Sequence, residues 1–158
     1  MKTLGNIIWL LVIGLWCTAM WLGYNYYETP TYEEEEVPVR LEQPEFFLAD
    51  KPTKELVKEA CEYFGLKHSE IVVAQSILET GHYHSDNCVK HNNLFGLYNS
   101  RRAQYYKFDK WWKSVIAYRD MIQYRYKGGD YYEWLQKIGY AEDPSYISKV
   151  KGIVKRYE

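Results

Sequence analysis

Glu79 is the residue of this sequence whose type and position best suit acid catalysis. It is followed by Thr80 and Gly81, and Gly81 is placed to end a helix, so the carboxyl group lies in the last helical turn. The negative end of the helix dipole and the apolar neighbours Ile77 and Leu78 both favour a raised pKa there. A carboxyl group that stays protonated near neutral pH can donate its proton to the leaving oxygen of a glycosidic bond. We therefore predict a general acid at Glu79.

Other common catalytic motifs do not occur in the sequence. It contains no Walker loop, Rossmann glycine pattern, HExxH pair, nucleophile elbow or paired CxxC, which excludes most nucleotide enzymes, common zinc hydrolases and serine hydrolases. Four potential zinc ligands occur close together: His82, His84, Cys88 and His91. Their spacing matches no standard zinc site, so we predict neither a metal nor a cofactor. Cys61 and Cys88 could also form a disulfide, which the sequence does not decide.

Helix-capping residues and glycines predict the elements that position Glu79. Residues that favour helix starts are Pro52–Thr53, Ser69, Ser85, Ser114, Asp130 and Asp143–Pro144. Glycines that favour helix ends are Gly65, Gly81, Gly128 and Gly139. This punctuation predicts about six helices, one of them running from Ser69 to Glu79 with a broad apolar face, and another from Ser114 to Tyr126.

Two short segments favour β structure. Residues 94–98 read as extended, and residues 104–108 are rich enough in β-prone side chains to pair with them as a small hairpin. The predicted fold class is α+β, predominantly α-helical, with a minor β-lobe, and a parallel sheet is excluded because the strands are too few and too short.

The amino terminus has the composition of a membrane segment. Residues 4–23 are almost wholly apolar, and about 20 residues of helix span a hydrocarbon core of about 30 Å. Lys2 precedes this run and acidic residues follow it, which favours an inside amino terminus and an exported remainder. We predict a transmembrane anchor over residues 1–24. A cleaved signal peptide, with Cys17 and Ala19 at the two inspected positions, is the alternative.

Charge and proline content divide the chain of 158 residues into regions. Residues 25–50 contain three prolines and the run Glu33–Glu36, which is typical of a solvated, extended linker. The net charge is −6 over residues 1–50 and +5 over the remainder.

Basic residues of the remainder are scattered along the sequence rather than clustered, so we predict no nucleic-acid partner. Residues 51–158 form the predicted folded domain.

Four blocks of this domain occur in an order typical of one family. They are residues 74–81 (AQSILETG), residues 92–97 (NNLFGL), the set Phe108, Asp109, Trp111 and Ser114, and residues 139–146 (GYAEDPSY). Together they resemble the bacterial endo-β-N-acetylglucosaminidases of peptidoglycan, glycoside hydrolase family 73. The resemblance covers roughly residues 53–157 and implies a lysozyme-like domain with a cleft between a helical lobe and the small β-lobe.

The resemblance also implies roles for individual residues. Glu79 matches the catalytic acid of the family, and Tyr140 matches the tyrosine beside the cleaved sugar. Residues matching or adjoining the motif that lines the cleft are predicted to bind substrate: Asn93, Phe95, Gly96 and Tyr98.

The second carboxylate of a two-carboxylate glycosidase is harder to place. Asp109 is the only acid between Leu94 and Trp111 and is the candidate, while Asp86 follows Glu79 in a loop and Lys113 stands where relatives often have Glu. Alternatively, the N-acetyl group of the substrate attacks the anomeric carbon itself.

The resulting hypothesis is a membrane-anchored peptidoglycan hydrolase of the cell envelope, with its domain on the extracytoplasmic side. It would cleave the β-1,4 bond after N-acetylglucosamine in glycan strands of peptidoglycan. An envelope-spanning complex is a further possible partner. The alternatives are a lytic transglycosylase or muramidase-like activity, or a catalytically silent wall-binding or structural module.

Overall fold

The computed structural model describes residues 14–22 and 43–157 of the chain, in two compact units, Met1–Leu41 and Glu42–Glu158. In the first unit, residues 14–22 are helical, and the Thr18 hydroxyl donates to the carbonyl of Gly14 at 3.1 Å. Much of the predicted anchor and most of the predicted linker lie outside the described residues. In the ranges 14–22 and 43–157, no helix combines the length and the apolar character needed to cross a membrane.

Two helices at the start of the second unit carry the acid. Helix α1 spans Lys54–Tyr63 and helix α2 spans Ser69–Thr80. Thr53 caps α1, because its side-chain oxygen accepts the amide of Leu56 at 3.3 Å. The prediction that Ser69 caps α2 is wrong. His68 holds that position in a left-handed conformation, and its carbonyl accepts the amides that open the helix.

A short helix and a hairpin follow α2. Helix α3 spans Asp86–His91, and the Ser85 side chain caps it by accepting the amide of Cys88 at 3.2 Å. Strand β1 (Tyr98–Asn99) pairs antiparallel with β2 (Gln104–Tyr105), with Tyr98 opposite Tyr105. The predicted hairpin is confirmed, with strands of two residues each. Beside them the Tyr106 amide bonds the Leu97 carbonyl at 3.0 Å, and the Asn93 side chain bonds the carbonyls of both residues.

Three helices complete the second unit: α4 (Trp111–Met121), α5 (Tyr131–Lys137) and α6 (Tyr146–Tyr157). Asp130 caps α5 as predicted, accepting the Glu133 amide at 2.9 Å. The predicted bounds of α4 are wrong at both ends. Ser114 lies inside the first turn, where its hydroxyl donates to the Trp111 carbonyl at 2.7 Å. The helix stops at Met121 because the chain tightens into a 3-10 turn, Gln123–Arg125, that turns the Gln123 side chain inward.

Helix α2 forms the centre of the core. It packs against α1 and α6, and residues 71–77 are all buried, which confirms the prediction of a helix buried on most sides. Residues 45–47, at the end of the predicted linker, form a 3-10 helix (Glu45–Phe47) whose Phe46 is buried against α1. The predominance of helix with one two-stranded sheet agrees with the predicted α+β class. Because α2 is surrounded by other elements, its exposed carboxyl-terminal turn has a fixed position.

Candidate active site

Glu79 is an exposed residue in the last turn of α2, directly after the buried stretch 71–77 and half-buried Leu78. Its neighbour Thr80 is buried, and the Thr80 hydroxyl donates to the Ser76 carbonyl at 2.6 Å, which holds the last turn. Gly81 then ends α2 in the left-handed conformation, with its amide bonding back into the helix. The Glu79 carboxyl group is therefore presented to solvent by a rigid backbone.

A cavity of about 240 Å³ opens beside Glu79. One wall is the segment Phe95–Tyr98, which leads into β1, and the other comes from Ile122, Arg125 and residues 138–140. In the part of the chain that the structure describes, Glu79 is the only acid and Arg125 the only base in this lining. The structure thus brings together five of the predicted residues: Glu79, Phe95, Gly96, Tyr98 and Tyr140.

Asn93 supports the wall formed by Phe95–Tyr98. The Asn93 side chain does not itself line the cavity. This side chain is 1% exposed. Its oxygen accepts the Leu97 amide at 2.9 Å, and its nitrogen donates to the carbonyls of Leu97 at 2.9 Å and Tyr106 at 3.0 Å. All these partners are backbone groups, so Asn93 shapes the turn that carries Phe95 and Gly96.

Tyr140 lines the same cavity. It is half-buried, and its hydroxyl donates to the carbonyl of Phe95 at 3.3 Å, which ties the segment after α5 to the opposite wall. The Phe95 ring packs on Tyr118 with ring centroids 4.5 Å apart. Burial raises the pKa of Tyr140 well above its usual value, so the phenol remains a hydrogen-bond donor at any physiological pH.

A buried chain of hydrogen bonds runs from the acid into the core. The Tyr146 hydroxyl bonds to Glu79 and accepts from the Gln75 amide at 3.2 Å. Gln75 in turn accepts from the Tyr118 hydroxyl at 2.8 Å, and Tyr118 bonds Tyr131 at 3.0 Å. The Gln123 side chain extends the chain, donating to Tyr131 at 2.8 Å and bonding the backbone of Lys67.

The roles of Gln75, Tyr118 and Tyr146 are not predicted by the motifs of the sequence. A signal was available for Gln75, because an uncharged polar side chain one turn before Glu79 sits among apolar residues of a buried helix. Such a group needs partners inside the protein, since a buried amide without hydrogen bonds is costly. The partners themselves, 43 and 71 residues away in sequence, could not be read from spacing.

The pKa of Glu79 is raised. Partial removal from water by the surrounding walls disfavours the charged carboxylate and raises this pKa, while the hydrogen bond from Tyr146 lowers it by a smaller amount. A carboxyl group with a raised pKa that still reaches solvent is suited to donate a proton.

The structure places the candidate second carboxylate elsewhere. Asp109 precedes α4, is exposed, and pairs with Lys113 at 2.7 Å, which holds the Asp109 pKa below its usual value. Asp86 is likewise exposed and pairs with Lys90 at 2.8 Å. Neither residue belongs to the lining of the Glu79 cavity.

The four potential zinc ligands, His82, His84, Cys88 and His91, do not line the Glu79 cavity. His82, His84 and Cys88 line a separate cavity of about 400 Å³ beside α3. Among the described residues, no three His, Cys, Asp or Glu side chains are placed to hold a metal ion. Cys61 and Cys88 are both buried with free thiols, and burial raises the pKa of Cys88 to about 11.

Comparison with known families decides the affiliation of this domain. The family model described as mannosyl-glycoprotein endo-β-N-acetylglucosaminidase matches residues 54–158. The chain belongs to the glucosaminidase family. The match begins at the first residue of α1 and includes every element that lines the cavity. It supports a glycoside hydrolase acting on a glycan. Comparison with curated protein sequences gives no match.

Proposed function

We propose that this glucosaminidase is an endo-β-N-acetylglucosaminidase that hydrolyses the β-1,4 bond after N-acetylglucosamine in peptidoglycan, with Glu79 as general acid. The observation that supports the proposal is that, among the described residues, Glu79 supplies the single carboxyl group that lines the cavity. Its pKa is raised, it reaches solvent, and its backbone is held by a buried helix. These are the properties required of an acid that protonates a leaving alcohol.

The second half of the reaction is assigned to the substrate. Because no other acid lines the cavity formed by the described residues, the acetamido oxygen of the bound sugar attacks the anomeric carbon as the glycosidic bond breaks. Glu79 gives its proton to the departing oxygen, and an oxazolinium ion forms. Water then adds to the anomeric carbon and returns a proton to Glu79, which releases a reducing N-acetylglucosamine end.

The cavity walls position the sugar for this attack. Tyr140, protonated and anchored on the Phe95 carbonyl, presents its ring and hydroxyl edge beside the acid. Gly96 leaves room for the sugar directly against the Glu79 carboxyl group. Tyr98 is 51% exposed at the rim and stacks edge-on with Tyr105, and together they offer an aromatic surface of the kind that sugar faces contact.

Product analysis tests the reaction. The full chain in mild detergent, its Glu79→Gln variant and a matched Glu62→Gln variant are incubated with purified peptidoglycan, and the products are identified by mass spectrometry. Glu62 is an exposed acid on α1, paired with Lys58 at 3.9 Å, so its loss controls for removal of one carboxylate. We expect reducing N-acetylglucosamine ends with the parent and Glu62→Gln, and a decrease of about 100-fold or more with Glu79→Gln.

Other products would replace this proposal by one of its rivals. Anhydro-sugar ends would identify a lytic transglycosylase, which can also use a single acid. Reducing muramic ends would identify a muramidase. Intact glycan that co-sediments equally with the parent and Glu79→Gln proteins would identify a wall-binding module.

We further propose that residues 1–24 anchor the domain to the membrane, on its extracytoplasmic side. Support comes from the apolar run 4–23 and from Lys2 on its amino-terminal flank. The full chain should stay with membranes after alkaline carbonate extraction, and a chain lacking residues 1–24 should not. A full chain whose intact mass shows loss of its first residues, and which is released by carbonate, would identify a cleaved signal peptide instead.

A further inference from the structure

Arg125 lines the cavity but has no role in the acid-catalysed reaction proposed above. It ends the 3-10 turn Gln123–Arg125 and lines the same cavity as Glu79. The rest of the lining, Glu79 apart, is uncharged. A positive charge in a sugar-binding cavity therefore needs its own explanation, since a neutral sugar is bound by hydrogen bonds and aromatic rings.

The guanidinium group of Arg125 is exposed and is not neutralised. Its Nε donates to the Ile122 carbonyl at a long 3.5 Å, and its central carbon lies 5.9 Å from the centroid of the Tyr124 ring. Among the described residues no carboxylate forms an ion pair with it. Arg119, by contrast, pairs with Asp120 at 2.6 Å. Most of the hydrogen-bonding capacity of Arg125 remains available.

Arg125 does not act by tuning the acid. It forms no ion pair with Glu79, and the pKa of Glu79 is governed by removal from water and by Tyr146. The two charged groups thus share one cavity without contacting each other. A ligand that fills the space between them can meet the acid at the bond to be cleaved and the guanidinium elsewhere.

We propose that Arg125 is a specificity-determining residue that binds a carboxylate attached to the lactyl position of the muramic sugar next to the cleaved bond. This inference rests on the proposed function. A planar guanidinium with several available donors fits a carboxylate in a bidentate manner. The carboxylate has two possible sources. In glycan without peptides it is the lactyl carboxylate itself, and in peptide-bearing glycan it belongs to the stem peptide.

The test compares glycans that differ in charge. The full chain and its Arg125→Gln variant are assayed for kcat/KM on peptide-free glycan strands, on the same strands with the lactyl carboxylate amidated, and on peptide-bearing strands. We expect the parent to prefer a carboxylated over the amidated substrate by about ten-fold, the scale of one charge-assisted hydrogen bond, and Arg125→Gln to show no preference. Arg125→Lys should keep part of the preference, and added salt should weaken it.

Two comparisons make the result decisive. Lys155→Gln removes one exposed positive charge on α6, outside the cavity, and should leave all three rates within about two-fold of the parent. A preference confined to peptide-free or to peptide-bearing strands identifies the carboxylate that Arg125 binds. Equal losses on carboxylated and amidated strands, or no loss on any, would overturn the inference. Failure of the parent to release reducing N-acetylglucosamine from every substrate would refute the proposed function instead.

Discussion

Gly96 lies directly against Glu79: a side-chain carbon added at position 96 would be 3.4 Å from Oε2 of the carboxyl group. Gly96 also has a φ of 61°, a backbone conformation that other residues adopt only at a cost. The backbone conformation favours glycine here, and an added side-chain carbon would also touch the carboxyl group. The conformation belongs to the turn that Asn93 holds, and the contact comes from helix α2, which ends at Thr80, 16 residues earlier in sequence.

The first prediction separates these two constraints. Gly96→Ala should lower the free energy of unfolding by about 1 kcal/mol through backbone strain, and it should also reduce kcat/KM because the new methyl group fills space beside the acid that the sugar occupies. Gly65→Ala is the matched control. Gly65 has a φ of 71°, and an added carbon there would meet nothing within 4 Å. Both variants should lose similar stability in denaturant titrations, and equal activities in the two would contradict the importance of the contact.

The second prediction concerns pH. Glu79 acts in its protonated form, so the rate should fall as pH rises through its raised pKa. The Tyr146 hydroxyl favours the charged carboxylate and so lowers this pKa. Tyr146→Phe should therefore move the alkaline limb of the kcat/KM profile to higher pH.

Tyr118→Phe provides the comparison for this shift. Tyr118 belongs to the same buried chain, bonding Gln75 at 2.8 Å, but it is not among the groups that set the pKa of Glu79. Both variants should lose stability of about 1 kcal/mol from a broken buried hydrogen bond. A limb that moves to lower pH in Tyr146→Phe, or that moves equally in both, would refute the assignment.

The third prediction concerns Asn93. The sequence predicts that Asn93 binds substrate, whereas in the structure its side chain supports the cavity wall formed by Phe95–Tyr98. Asn93→Ala removes the partner of the Leu97 amide and of the Tyr106 carbonyl, and one of two donors to the Leu97 carbonyl, so it should lower the free energy of unfolding by about 2 kcal/mol or more. Asn99→Ala removes only an acceptor in the exposed hairpin turn and should cost much less. Equal losses in urea titrations would argue against a special role for the Asn93 side chain.

The fourth prediction concerns the second carboxylate. Asp109→Asn removes an exposed pair with Lys113, and such pairs contribute little to stability. If the substrate supplies its own nucleophile, kcat/KM on peptidoglycan should stay within about three-fold of the parent. A folded Asp109→Asn protein with a loss of 100-fold or so, comparable to Glu79→Gln, would instead make Asp109 the second catalytic carboxylate.

Some features of this protein could be predicted from sequence because they depend on neighbouring residues. Thr53, Ser85 and Asp130 cap helices through amides only three positions ahead, and the glycines that follow α1 and α2 adopt left-handed conformations where predicted. The position of Glu79 in the last turn of a buried helix follows from the same short-range pattern. The capping error at Ser69 and the misplaced ends of α4 arose where a preceding carbonyl or an inward-turned side chain overrode local preference.

The sequence by itself therefore determined which residue could act as the acid, the helices around it and the family. Only the tertiary structure decided what shares the cavity with that acid. Gln75 meets Tyr118 and Tyr146 across three helices, Asn93 turns inward, Asp109 stays outside, and Arg125 enters from a turn 46 residues beyond Glu79. These relationships depend on how helices pack against one another. A short-range sequence pattern does not predict how helices pack. Packing depends on how exposed apolar surface and unpaired polar groups are minimised over the whole domain.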